Sequence, residues 1–228
     1  IETALRDRRD DNTGAFARAF DCWAAVELRR AGFPPDSVWP REVMPRVLAN
    51  ELALLLDRVT KGGTAAQSRE LKDHLREWLA THDRSAKIAP TDARVLGGVY
   101  TKQADVLVAD WATGVELMIS TKSMLGSYGK NLRNRFEESF GDSINLKQRF
   151  PMGAFGFLFA IDTGVPKADF VFLKNMLTKL VDSAGYDVTC LMLVDLETGS
   201  VELNSKSHDI PLDLRPGHFF ERLVESVL

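Results

Sequence analysis

The sequence predicts a mixed α/β (α+β) domain, a mixed central sheet flanked by helices, with a helical extension in front. Three observations carry this. Apolar residues recur at helical spacing as far as about His82, the period changes from Ala86, and apolar strand-like runs alternate with helical segments from Ala154 onward. With 228 residues, 45 % hydrophobic and 27 % charged, the chain can bury one sizeable core. The predicted division is a helical segment over 1–64 packed on a core over 65–228.

The net charge of −3 announces no global affinity for nucleic acid, so any such face must be local. Cys22 and Cys190 lack metal-ligand spacing, which argues against a zinc or disulfide framework and fits a reducing, cytoplasmic setting. No apolar run approaches a membrane span, so no membrane partner is expected. The first residue, Ile rather than Met, is what a fragment or a disordered start would give.

In chain order, 1–31 reads as a helix with a stripe of Phe16, Phe20, Trp23, Ala24 and Leu28, closed by Gly32. The Pro35-Asp36 pair follows in a loop and reads as a turn. Further helices are predicted over 42–60 and 65–82. Glu51 and Glu70 ride on them and read ordinarily as solvated helix charge, and His74 and His82 read as surface or cap histidines. The segment 95–100 is predicted as a short strand and 101–103 as a link. Beyond the hairpin described next, the sequence predicts a helix over 130–140, a doubly covered strand over 154–161, a helix over 167–184, a strand pair over 186–195 and 200–203, and a closing helix over 215–228.

The centre of the prediction is 104–124, ADVLVADWATGVELMISTKSM, two strands joined by a turn at Gly114. Side chains alternate along a strand, so Glu116, Met118, Ser120 and Lys122 share one face and Val115, Leu117, Ile119 and Thr121 the other. An acid, a hydroxyl and a lysine beside a strand opened by Asp105 point to metal-assisted phosphodiester hydrolysis. Carboxylate oxygens suit Mg²⁺, and a lysine can orient the attacking water.

Asp105 followed by Ser120-Thr121-Lys122 resembles the motif of the PD-(D/E)XK nucleases, the restriction-endonuclease-like superfamily, in its Ser-x-Lys variant. Serine stands where the acid is expected. The resemblance covers about 70–195 and implies a mixed sheet in α-β-β-β-α-β order and a Mg²⁺ ion, replaceable by Mn²⁺. Its ligands would be Asp105, the Thr121 backbone carbonyl and a displaced acid. Glu137 or Glu138, 15 and 16 residues beyond Lys122, is the expected source, with Glu116 a weaker one. Lys122 would position the water and Ser120 would hydrogen-bond.

Between Lys122 and Phe150 six basic side chains face three acidic ones, a local positive patch in an acidic chain. Lys102, Gln103, Lys130, Asn131, Arg133 and Arg135 are the predicted DNA contacts, although Arg133 with Glu137 also reads as an ordinary helix pair. The expected activity is a type II-like restriction or phage-defence endonuclease acting on DNA, with a homodimer as its possible assembly. The alternative is a nuclease-fold module without catalysis that binds DNA or a protein partner.

Overall fold

The computed structural model describes residues 14–41, 93–110, 113–183, 185–202 and 210–227, together with 64, 66–67, 69–70 and 73–74. The predicted helix over 42–60, with Glu51, and His82 lie outside these residues. Positions 66–67, 69–70 and 73–74 are helical and exposed, Glu70 and His74 among them.

The described residues form an α+β domain around a six-stranded mixed sheet. Helix α1 (Ala15–Arg30) buries Phe16, Phe20, Ala24, Ala25 and Leu28 on one stripe and stops where Gly32 takes φ 111°. Pro35–Ser37 is a short 3₁₀ turn, as the Pro35-Asp36 reading requires, and strand β1 (Val38–Trp39) follows. Arg29 fastens this strand by donating to the carbonyls of Val38 (3.0 Å) and Pro40 (2.8 Å).

Strands β2 (Ala93–Leu96) and β3 (Thr101–Ala104) pair with each other as a separate ribbon, so the segment predicted as one strand over 95–100 is instead mostly a turn. The cause lies in the glycines. A Cβ on Gly97 would sit 2.2 Å from Asn145 Nδ2, and one on Gly98 2.5 Å from Gln148 Oε1. Bare backbone lets the turn dock on the following helix, where Asn145 Oδ1 accepts from the amides of Val99 (2.8 Å) and Tyr100 (3.2 Å).

Strand β4 (Val106–Asp110) pairs antiparallel with β5 (Gly114–Met124), Val106 opposite Ile119, and Gly114 takes φ 80° at the turn. Helix α2 spans Lys130–Arg149, nine residues beyond the predicted end at Phe140. The Gly141-Asp142-Ser143 stretch does not stop it, because its small polar residues are buried against neighbours. Strand β6 (Ala154–Asp162) lies parallel to β5, helix α3 (Lys167–Asp182) crosses over, and β7 (Val188–Asp195) lies parallel to β6. Strand β8 (Ser200–Glu202) returns antiparallel and α4 (Pro216–Glu225) closes the domain. The sheet order is β1-β4-β5-β6-β7-β8.

Helices α2 and α3 cover one face, where Leu107, Met118, Phe157 and Phe159 meet Leu132, Leu173 and Leu177. Helices α1 and α4 cover the other, where Val108, Leu117, Ile119 and Leu158 meet Phe20, Leu28, Phe219 and Leu223. Strand β6 is buried on both faces, as its continuous apolar run predicts. No described helix is long and apolar enough to cross a membrane.

Candidate active site at the open end of the β4–β5 hairpin

Strand β5 outruns its partner. Val106 begins β4 opposite Ile119, and β5 continues to Met124 without β4 beside it. Asp105, at the bend between β3 and β4, fills the first gap. Its Oδ2 accepts the Thr121 amide at 2.9 Å and the Ser120 hydroxyl at 3.3 Å. The N–H and C=O of one strand residue face the same edge, so the Thr121 carbonyl opens toward Asp105 as well.

On the α1 side of the sheet the Thr121 hydroxyl donates to Asp21 Oδ1. Two carboxylates therefore bracket Thr121, one on its amide and one on its hydroxyl. Gly14, Ala17, Arg18 and Asp21 fall at i, i+3, i+4 and i+7 of the helical repeat and, with Gln103 and Asp105, line a cleft of about 200 Å³. Asp21 escapes sequence reasoning because it sits on the polar flank of a helix outside the stretch that resembles the nuclease core. The small-polar face at 14, 17, 18 and 21 was the available signal.

On the α2 side, Lys122 Nζ lies 3.5 Å from Glu138 Oε1, and Arg135 donates to Glu138 Oε2 at 2.7 Å. Burial opposes the Glu138 charge, but the Arg135 hydrogen bond and the charges of Lys122, Arg135 and Lys102 outweigh it and hold the carboxyl below its ordinary value. Deeper in, Lys102 Nζ donates to Asp142 Oδ2 at 2.5 Å and the Tyr100 hydroxyl to Asp142 Oδ1 at 3.0 Å. Burial works against the Lys102 charge too, yet the Asp142 hydrogen bond, followed by the charges of Asp142, Asp105 and Glu138, raises its ammonium above the ordinary value. Tyr186, almost fully buried, has its phenol pushed up by burial and by the charges of Asp142, Asp105 and Glu138.

The structure thus joins Asp105 to Ser120 and Thr121, and Lys122 to Glu138. Glu137 is exposed. Glu116 accepts from the Thr113 hydroxyl at 2.5 Å beside the hairpin turn, away from Asp105. Among the described residues no three His, Cys, Asp or Glu side chains converge as a group able to hold a metal ion.

Several predicted DNA contacts have partners within the fold. Lys102 is held by Asp142, Arg135 by Glu138, and Asn131 donates to the Ser127 carbonyl at 2.9 Å. Arg133 is exposed and stands 6.0 Å from the Phe172 ring centre. Lys130 is exposed at the start of α2, and Gln103 is exposed on the cleft. Chemically, the arrangement offers hard carboxylate and carbonyl oxygens along one edge of β5 and a held ammonium beyond them. The chain matches no known family model, no curated protein and no solved structure.

Proposed function

We propose that the protein is a Mg²⁺-dependent DNA endonuclease built on a restriction-endonuclease-like core and serving restriction or phage defence. The observation that carries this reading is the seat of Asp105 on Ser120-Thr121, which links the aspartate to the Ser-x-Lys segment across the open end of the hairpin. Lys122 stands one pleat, about 7 Å, from Ser120 on the same face.

The donor set fits a hard dication. Asp105, Asp21 and the Thr121 carbonyl would hold Mg²⁺ or Mn²⁺, with water completing the shell, and in this reading Asp21 of α1 would take the place expected of Glu137 or Glu138. The ion would supply Lewis acidity and offset charge on the phosphoryl oxygens. Glu138 holds the Lys122 ammonium in place, and Lys122 orients the attacking water and faces the charge that builds on the phosphate. Ser120 steadies the Asp105 carboxylate.

The test is cleavage of plasmid and linear DNA with Mg²⁺, Mn²⁺ or chelator by wild type, Asp105→Ala and Lys122→Ala. Metal-dependent cutting that both substitutions abolish supports the reading; cutting untouched by either removes the site. The second reading, a binding module without catalysis, draws on the serine at 120 and on the lack of a converged acid cluster among the described residues. It requires DNA binding that survives chelation, with no cutting.

A further inference from the structure

We infer that Arg18 is the phosphate grip of this site, so that DNA enters over the cleft between α1 and β3 rather than along the basic surface of α2. The inference rests on the nuclease reading and adds to it the residue that receives the substrate and the side from which it comes.

Packing fixes where Arg18 stands. Phe16, Phe20, Ala24 and Leu28 seat α1 against Val106, Val108, Leu117 and Ile119, and the Thr121 hydroxyl holds Asp21. That seating places Arg18 on the cleft that Asp21 and Asp105 also line, together with the small residues Gly14 and Ala17 and the amide-bearing Gln103. Two acidic residues and one arginine lining the same small cleft suit a ligand that carries both a cation and an anion. A phosphodiester carrying a divalent ion has both, and a guanidinium meets phosphate oxygens in pairs. Size narrows the choice, since about 200 Å³ lies below the roughly 300 Å³ at which pockets for drug-sized molecules begin. One backbone phosphate with its hydrated cation is the better match.

Along α2, Lys130 and Arg133 are exposed, but the other predicted contacts are engaged within the fold. Arg135 is paired with Glu138, Lys102 is tied to Asp142, and Asn131 is engaged by the Ser127 carbonyl. Arg18 is exposed, so substituting it removes a surface group rather than a core contact.

The test is equilibrium binding of a fluorescein-labelled DNA duplex over a salt series, with Ca²⁺ in place of Mg²⁺ so that strands stay intact, for wild type, R18A, R18K and R135A. R18A is expected to weaken binding about tenfold and to reduce the slope of log affinity against log salt by about 0.9, the loss of one phosphate contact. R18K should keep the slope and lose part of the affinity. R135A should bind within about twofold of wild type. Wild-type binding by R18A, an equal loss in R135A, or no binding by the unsubstituted protein overturns the assignment. Plasmid cutting is scored separately. A protein that grips DNA through Arg18 yet never cuts keeps this inference and loses the hydrolase reading.

Discussion

The Asp105 carboxylate accepts the Thr121 amide proton at 2.9 Å, at the point where β4 has ended and β5 continues. A side chain thus replaces the missing strand partner, and one oxygen satisfies a backbone donor and a hydroxyl together. Structural and chemical roles of Asp105 should then separate. Asp105→Asn keeps an acceptor oxygen and should cost under about 1 kcal/mol in urea unfolding, whereas Asp105→Ala strands the amide and should cost about 1 to 2 kcal/mol. Both should lose plasmid cleavage by at least about a hundredfold, because neither offers a charged oxygen to a dication. Cleavage by Asp105→Asn at the wild-type rate would take Asp105 out of the chemistry and leave it a β-edge cap.

Gly97 makes the ribbon's docking on α2 testable. An added methyl would meet the Asn145 amide, which cannot swing away without releasing the Val99 and Tyr100 amides and the Tyr100 carbonyl, 3.2 Å from Asn145 Nδ2. Gly97→Ala should therefore destabilise by about 3 kcal/mol, roughly 10 °C in melting temperature. It should also speed chymotrypsin cleavage near Tyr100. An unchanged melt and unchanged proteolysis would mean that the turn does not depend on this contact.

The hairpin over 104–124 was legible because alternation and a turn glycine are local signals, and the doubly buried strand over 154–161 because its apolar run has no polar side. What escaped depends on distant partners. The two-residue strand Val38–Trp39 has no period to detect; it pairs with β4 at Val108 and Leu107, and Arg29 holds the carbonyls of Val38 and Pro40. Gly97-Gly98 fall inside the segment predicted as a strand over 95–100, because the residue that docks their turn, Asn145, lies far along the chain. Asp142 and Asn145 look like helix-stopping residues until Tyr100 and Lys102 meet them. Asp21 joins the candidate site only because α1 is laid across β5, a placement fixed by packing rather than by any motif.

Lys102 and Asp142 form a largely desolvated pair, with side-chain exposures of 23 % and 6 %. Removing one member should cost more than removing both. Asp142→Ala should destabilise by about 3 kcal/mol, while Lys102→Met combined with Asp142→Leu should recover most of it in a double-mutant cycle read by urea unfolding. Because the Lys102 ammonium is raised in the folded protein, its contribution is complete below its unfolded value of 10.5 and fades as pH climbs through the higher folded value. The wild type should thus lose stability at strongly alkaline pH faster than the double variant. Identical alkaline limbs would show that the pair does not couple to folding.

Glu138 and Glu137 are neighbours in sequence with different surroundings, which separates two roles for the helix acid. Glu138 touches Lys122 and Arg135, and Glu137 is exposed. If Glu138 holds the lysine, Glu138→Gln should lower the cleavage kcat about tenfold with KM within about twofold, since the loss falls on an oriented group rather than on substrate binding. Glu138→Asp should restore part of the rate, and Glu137→Gln should behave as wild type. With Glu138 39 % exposed on its side chain, the melting temperature should move by no more than about 4 °C. The depressed Glu138 carboxyl stays charged into mild acid, so its contribution is present above its unfolded value of 4.5 and fades only as pH falls through the lower folded value. A rate that drops in Glu137→Gln and not in Glu138→Gln would reverse the assignment and return the helix acid to the exposed position.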